Sequence, residues 1–253
     1  MVYQRLIPSL LLRHGRLVKG RRFRSHRDAG QPAATTRAHN YQSADELIVS
    51  DIDASQHNRT PDFTQLAAIA ENCFMPLTVF GGIRSIEIAD ECFGIGADKI
   101  GMTTAAIDNP QLIDQFAHKY GAQSVVVGID IWSDQSNTSY LFDHRTGNVL
   151  LEPKPFEFAV ECIARGCGEL RLMAVNREGI LCGFDLPLLN QFREKVDVPL
   201  ILEGGAGSLK DIEAAYAAGA DGIAIGAMLV FSDANLVKIK QHLLTQGCNV
   251  RPT

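Results

Sequence analysis

The strongest constraint on this fold is an internal repeat at a fixed offset of 123 residues. Met75-Pro76-Leu77-Thr78-Val79-Phe80-Gly81-Gly82 returns as Val198-Pro199-Leu200-Ile201-Leu202-Glu203-Gly204-Gly205. Ser85 returns as Ser208, Gly96-Ala97-Asp98 as Gly219-Ala220-Asp221, and Glu46 as Glu169. An offset held over several elements makes the chain two similar halves, about residues 1–122 and 123–253. Each half supplies apolar strands, a Gly-Gly turn and helices, and strand and helix alternate through eight units. A doubly wound sheet could also hold eight units. The two-fold repetition of four, with short apolar strands throughout, predicts a single closed (β/α)8 TIM barrel over residues 1–253.

Arg5 to Leu12 reads as a strand buried on both faces. His14 to Gly30 reads as a long basic connection, either a lid or a solvated loop. Helices are expected over Pro32 to Ser43, Thr60 to Cys73 with Pro61 in the first turn, Ser85 to Gly94, Asn109 to Tyr120, Phe156 to Arg165, Leu186 to Lys195, Ser208 to Ala218 and Ala234 to Gln246. Strands are expected at Glu46 to Asp53, Pro76 to Phe80, Asp98 to Thr103, Ser124 to Asp130, Glu169 to Val175, Pro199 to Leu202 and Asp221 to Ile225. Trp132 to Leu151 reads as a hairpin insert with Thr146-Gly147-Asn148 at a turn.

A net charge of −5 gives no general attraction to nucleic acid or membrane. Arg5, Arg13, Arg16 and Lys19 interrupt the first apolar stretch, so it does not read as a secretory signal. Six cysteines without a Cys-x-x-Cys pair read as free thiols in a reducing, cytoplasmic setting. No metal site and no cofactor motif is expected.

Barrel chemistry sits at the carboxyl ends of the strands. Candidates there are Asp51, Asp53, Asp130, Asn176 and Glu203. Gly81-Gly82 with Thr103-Thr104, and Gly204-Gly205 with Gly226-Ala227, each form a candidate phosphate cup. The alternative is that these glycines only make tight turns. Asp130 is the best general acid or base by position, since a strand-end carboxylate in a closed pocket gains a raised pKa. At the opposite end, Arg5, Glu46, Lys99 and Glu169 place alternating charges at the amino-terminal edges of apolar runs, the pattern of a stabilising salt-bridge ring.

The chain resembles the HisF family, the cyclase subunit of imidazole glycerol phosphate synthase. The carriers are Arg5-Leu6-Ile7-Pro8, Gly15 to Gly20, Arg27-Asp28-Ala29-Gly30, Ala44-Asp45-Glu46-Leu47, Pro76-Leu77-Thr78, Gly81-Gly82-Ile83-Arg84, Gly96-Ala97-Asp98-Lys99 and Gly204-Gly205-Ala206-Gly207. The resemblance implies a heterodimer with a HisH-type glutaminase on the amino-terminal face, whose ammonia travels the barrel axis. It implies a gate at Arg5, Glu46, Lys99 and Glu169, Thr78 on the ammonia path, and Asp45, Asp98 and Gln123 at the docking face. It further implies catalytic roles for Asp130 and for Lys19 of a mobile first loop. Asp51, Gly179 and the two cups would hold a phosphorylated substrate.

The departures sit at the reaction end. The family's first catalytic aspartate falls on Leu11; Met173, Asn176, Glu203 and Ala227 replace a threonine, an aspartate and two serines. The family's His-Gly-Gly segment is not recognisable in Tyr140 to Pro155, and Glu203 is expected to repel a nearby phosphate. The resemblance with Leu11 implies a paralogue that feeds ammonia, with a separate amidotransferase, to a nucleotide-sugar for surface polysaccharide. The alternatives are a genuine histidine-pathway cyclase and a non-catalytic ammonia-conducting scaffold.

Overall fold

The computed structural model describes residues 3–136 and 138–253. Twelve strands are present among them: β1 (Arg5–Arg13), β2 (Arg16–Arg21), β3 (Arg24–Gly30), β4 (Leu47–Asp51), β5 (Leu77–Phe80), β6 (Lys99–Met102), β7 (Val125–Ser133), β8 (Ser139–Asp143), β9 (Asn148–Leu150), β10 (Glu169–Ala174), β11 (Leu200–Glu203) and β12 (Gly222–Ile225). Eight of them pair in parallel in the order β1-β4-β5-β6-β7-β10-β11-β12, and β12 pairs back onto β1. The sheet is therefore a closed (β/α)8 barrel.

Both faces of each barrel strand are buried, which is why the strands are continuous apolar runs. The outward residues pack against the helices in one large apolar layer, including Leu6, Leu47, Val79, Ile100, Leu170 and Phe116. The inward residues follow the period-2 alternation of a strand. They form a smaller cluster inside the barrel: Ile7, Ile48, Phe80, Val126, Ile201 and Ala224.

The repeat reappears as repeated hydrogen bonds. Leu77 N donates to Asp98 Oδ2 at 2.8 Å, and Leu200 N donates to Asp221 Oδ2 at 2.8 Å. Leu47 N donates to Pro76 O and Leu170 N to Pro199 O. Ser85 and Ser208 each cap the helix after a Gly-Gly turn.

Among the boundaries that differ from expectation, two bear on the site. The helix expected from Thr60 runs over Phe63–Ala70, because Asp62 caps it by accepting from Gln65 N and leaves Pro61 outside. His14 to Gly30 is not a loop: β2 pairs antiparallel with β1, and β3 with β2. Arg22 and Phe23 both have positive φ, the geometry of a tight hairpin turn. The insert after Trp132 is a hairpin as expected, with β8 on β7 and β9 on β8. So β1 and β7, the first strand of each half, are both nine residues long and both carry an antiparallel hairpin.

Candidate active site

At the amino-terminal end of the barrel the four expected charges meet. Arg5 Nη1 donates to Glu46 at 2.7 Å and Arg5 Nη2 donates to Glu169. Lys99 Nζ lies 3.3 Å from Glu46 Oε1 and 3.0 Å from Glu169 Oε2. The result is a closed ring of alternating sign, with both carboxylates buried. Burial alone would lower the Arg5 pKa, but the facing Glu169 and Glu46 carboxylates outweigh it and raise it. Thr78, paired in register with Lys99, is buried.

At the carboxyl end a cavity of about 430 Å³ opens over the strands. Leu11, Asp51, Asp53, Phe80, Gly81, Gly82, Thr103, Thr104, Asp130, His144, Arg171 and Glu178 all line it. The tip of the β2–β3 hairpin reaches over it through Phe23, Arg24, Ser25 and His26, so the basic segment is a lid made of strands. Phe23 packs edge-on against Phe142, which stacks with Trp132, so the two hairpins brace one another.

Asp130 is buried in this cavity, and its Oδ1 has no hydrogen-bond partner. Burial pushes its carboxyl up to about 7; Arg171 opposes this, and Glu203, Asp143 and Glu178 add to it. His144 Nδ1 stands 3.8 Å from Asp130 Oδ2, and burial lowers the imidazole pKa, which favours the neutral ring. A carboxyl near neutrality beside a neutral imidazole can give and take a proton.

The other carboxylates of the cavity are engaged. Asp51 accepts both guanidinium nitrogens of Arg59 at 2.7 Å each, and the Asp62 N–H at 2.9 Å. Asp53 pairs with Arg13 at 3.1 Å. Glu178 lies 3.4 Å from Lys19 Nζ.

The structure does not bring every expected residue together. Lys19 lies in β2, is 2% exposed and lines a separate cavity of about 260 Å³, beside Gly226 and away from Asp130. A Cβ on Gly226 would fall 1.9 Å from Lys19 Nζ, so that side chain occupies the second cup. Gly179, Gly204, Gly205 and Ala227 are outside the large cavity. The space that the missing Gly205 Cβ leaves is taken by Gly183 O, 2.1 Å from the ideal position. The two cups differ in what they face: Gly81, Gly82, Thr103 and Thr104 line the large cavity, whereas Gly226 lines the smaller one beside Lys19.

Glu203 is corrected likewise. It is 1% exposed, lies beneath the cavity, and its Oε2 stands 3.1 Å from Arg171 Nε. Its charge is compensated by a guanidinium instead of facing a phosphate. The pair is close but off-line, so neither Arg171 Nε nor the Glu203 oxygens make a hydrogen bond. Asn176 donates to Ser133 O and does not line the cavity.

Of the three residues expected at a docking face, Asp98 and Gln123 are exposed. The Asp45 side chain is turned inward, accepting from Lys240 Nζ at 2.7 Å and Leu6 N at 2.8 Å. Arg171, His144 and Glu178 escaped the sequence reading. The signal for Arg171 was available: it shares the inward register of Glu169 and Met173 in an apolar strand. The other two stand on inserts whose placement only the fold decides.

Among the described residues no group of acids, histidines or cysteines could hold a metal ion, and all six cysteines are free. No helix among them is long and apolar enough to cross a membrane.

Comparison with known proteins gives the family. A family model described as histidine biosynthesis protein matches residues 5–235. The imidazole glycerol phosphate synthase subunit HisF of Exiguobacterium sibiricum is 36% identical over 252 residues, covering 99% of this chain and all of that protein. The same subunit of Chlorobium phaeovibrioides is 37% identical over 252 residues, with the same coverage. A Campylobacter jejuni protein carrying the name subunit hisF2 of that synthase is 37% identical over 251 residues, 99% of each chain.

Proposed function

This chain belongs to the HisF family of histidine biosynthesis proteins, and from that premise we propose that it is the cyclase-type subunit of a glutamine-dependent synthase. In this reading a HisH-type glutaminase docks on the amino-terminal face. Its ammonia enters through the ring of Arg5, Glu46, Lys99 and Glu169 and is used in the cavity that holds Asp130. The closed ring carries the proposal. A salt-bridge ring that only stabilised the barrel would not need to sit across its open end, where its members face the axis. The rim adds support. Tyr41 and Phe74 are each 87% exposed and Tyr3 is 52% exposed, all at the amino-terminal ends of adjacent strands β1, β4 and β5. Exposed aromatics beside a polar rim suit the core of a protein interface.

In the cavity, Asp130 is the proton-transfer group, with His144 beside it. Gly81, Gly82, Thr103 and Thr104 hold one phosphate of the substrate. Leu11 lines the same cavity and cannot carry a proton, and Glu178 is tied to Lys19. The reaction end is thus rebuilt around one free carboxylate. That favours an acceptor other than the histidine precursor, such as a nucleotide-sugar amidated for surface polysaccharide, through a partner amidotransferase. The second reading is a genuine cyclase that forms imidazole glycerol phosphate with His144 serving beside Asp130.

Two measurements test this. In the complex with a HisH-type glutaminase, Arg5→Ala or Lys99→Ala uncouples glutamine hydrolysis from transfer of ammonia. Unchanged coupling removes the gate. Complementation of a histidine auxotroph that lacks its own HisF separates the acceptors. Failure supports the changed acceptor, and growth at ordinary rate removes it.

A further inference from the structure

We propose that Phe80 and Arg171 form a second closure of the barrel axis, an inner door between the charged ring and the cavity. Strand order carries the argument. In the eight-stranded ring β4 and β10 are diametrically opposite. Arg171 leaves β10, yet its Nη1 lies 3.4 Å from Ser50 Oγ on β4. A side chain that bridges opposite strands has to cross the middle of the barrel. On its way the guanidinium lies 4.4 Å from the centroid of the Phe80 ring, a cation–π contact.

The Phe80 ring has a seat made for it. A Cβ on Gly101 would fall 2.2 Å from the ring, and one on Gly128 would fall 3.2 Å from it. Neither glycine has positive φ, so backbone conformation does not require glycine at either position. The space above them is what glycine supplies. Phe80 also belongs to the apolar layer of Ile7, Ile48, Val126, Ile201 and Ala224, directly beneath the cavity. Glu203 on the neighbouring strand neutralises Arg171, which allows a guanidinium only 5% exposed to stay charged there.

The two doors differ in how firmly they are shut. The outer ring is fastened by hydrogen bonds from both cations to both carboxylates. The inner door rests on a stacked ring, a long contact to Ser50 and an ion pair without hydrogen-bond geometry. It is therefore the more easily moved. The closure does not rest on the reading above, and its test leaves out glutaminase and substrate, so the two can fail separately.

The test uses the full chain with Val126→Cys, a swap of similar volume in the layer that Phe80 shares; unlike Phe80, Val126 does not line the cavity. The rate of modification by methyl methanethiosulfonate is read residue by residue by peptide mass. Phe80→Ala speeds labelling at position 126 by roughly tenfold or more while buried Cys92 and Cys162 keep their rates, because local access rises without global opening. Arg171→Met, which keeps the length and removes the charge, gives a smaller acceleration and serves if Phe80→Ala folds poorly. No acceleration at position 126 in either variant, or acceleration shared equally by Cys92 and Cys162 in both, overturns the inner door.

Discussion

The first strands of the two halves, β1 and β7, invite direct comparison. Both are nine residues long, both carry an antiparallel hairpin, and both end beneath the same cavity. One presents Leu11 there and the other Asp130. The Gly-Gly turns differ in the same manner: Gly81 and Gly82 line the large cavity, while Gly204 and Gly205 do not and the Lys19 side chain stands against Gly226. A repeat preserves what closes a barrel, namely register, caps and strand-start hydrogen bonds. It does not preserve what the barrel holds, because a single side chain decides what each strand end presents to the cavity.

The largest expected effect comes from the chemical side of this contrast. Asp130→Asn lowers ammonia-dependent turnover of the complex by about a hundredfold or more, the usual cost of losing a proton-transfer group. The same substitution reads out in stability. The folded chain holds the Asp130 proton more tightly than the unfolded chain, so the stability this group supplies is full below pH 3.8 and lost as pH rises through about 7. Asp130→Asn therefore raises Tm relative to the parent at pH 8 and by much less at pH 5, measured by calorimetry. An equal shift at both pH values means Asp130 is not perturbed.

Restoring the missing acid sharpens the comparison. Leu11→Asp places a second carboxyl in the cavity and moves the Asp130 limb of the pH–rate profile upward, by about one unit for groups that repel at short range. A limb that stays in place shows that the two positions do not face each other. A smaller effect is expected at the turns. Thr104→Ala weakens inorganic phosphate binding by several-fold, in keeping with about 1 kcal/mol for a lost hydrogen bond, while Ala227→Thr leaves it unchanged. Titration calorimetry decides this; a gain on Ala227→Thr as large as the loss on Thr104→Ala would break the asymmetry. The smallest effects test the shared scaffold. Ser85→Ala and Ser208→Ala should each cost about 1 kcal/mol of stability, since both lose a helix cap. A much larger loss in one half would mean that the scaffold is no longer two-fold.

The charged ring was legible in advance because its members stand at strand starts, and strand starts converge at one end of any barrel. The Arg171–Glu203 pair was not. Those residues lie on neighbouring strands, β10 and β11, but nothing local marks Arg171 as crossing to β4. The hairpin at Arg16–Gly30 was hidden by its charge, since exposed basic residues give no apolar alternation to read. The matching hairpin after Trp132 was the available clue, through the two-fold repeat. Lys19, assigned by position to a mobile loop, stands in β2, buried beside Glu178 and Gly226, which no local pattern shows.

The sequence by itself determined the barrel, its two-fold build and the four charges at its amino-terminal end. Those follow from periodicity and a fixed offset, which are properties of the chain read along its length. Only the tertiary structure decided which turn opens to the cavity, how Asp130 gains a pKa near neutrality and what lies across the axis. The reason is physical. Burial, charge compensation and the reach of a long side chain depend on distances between strands far apart in sequence, and no local pattern encodes them.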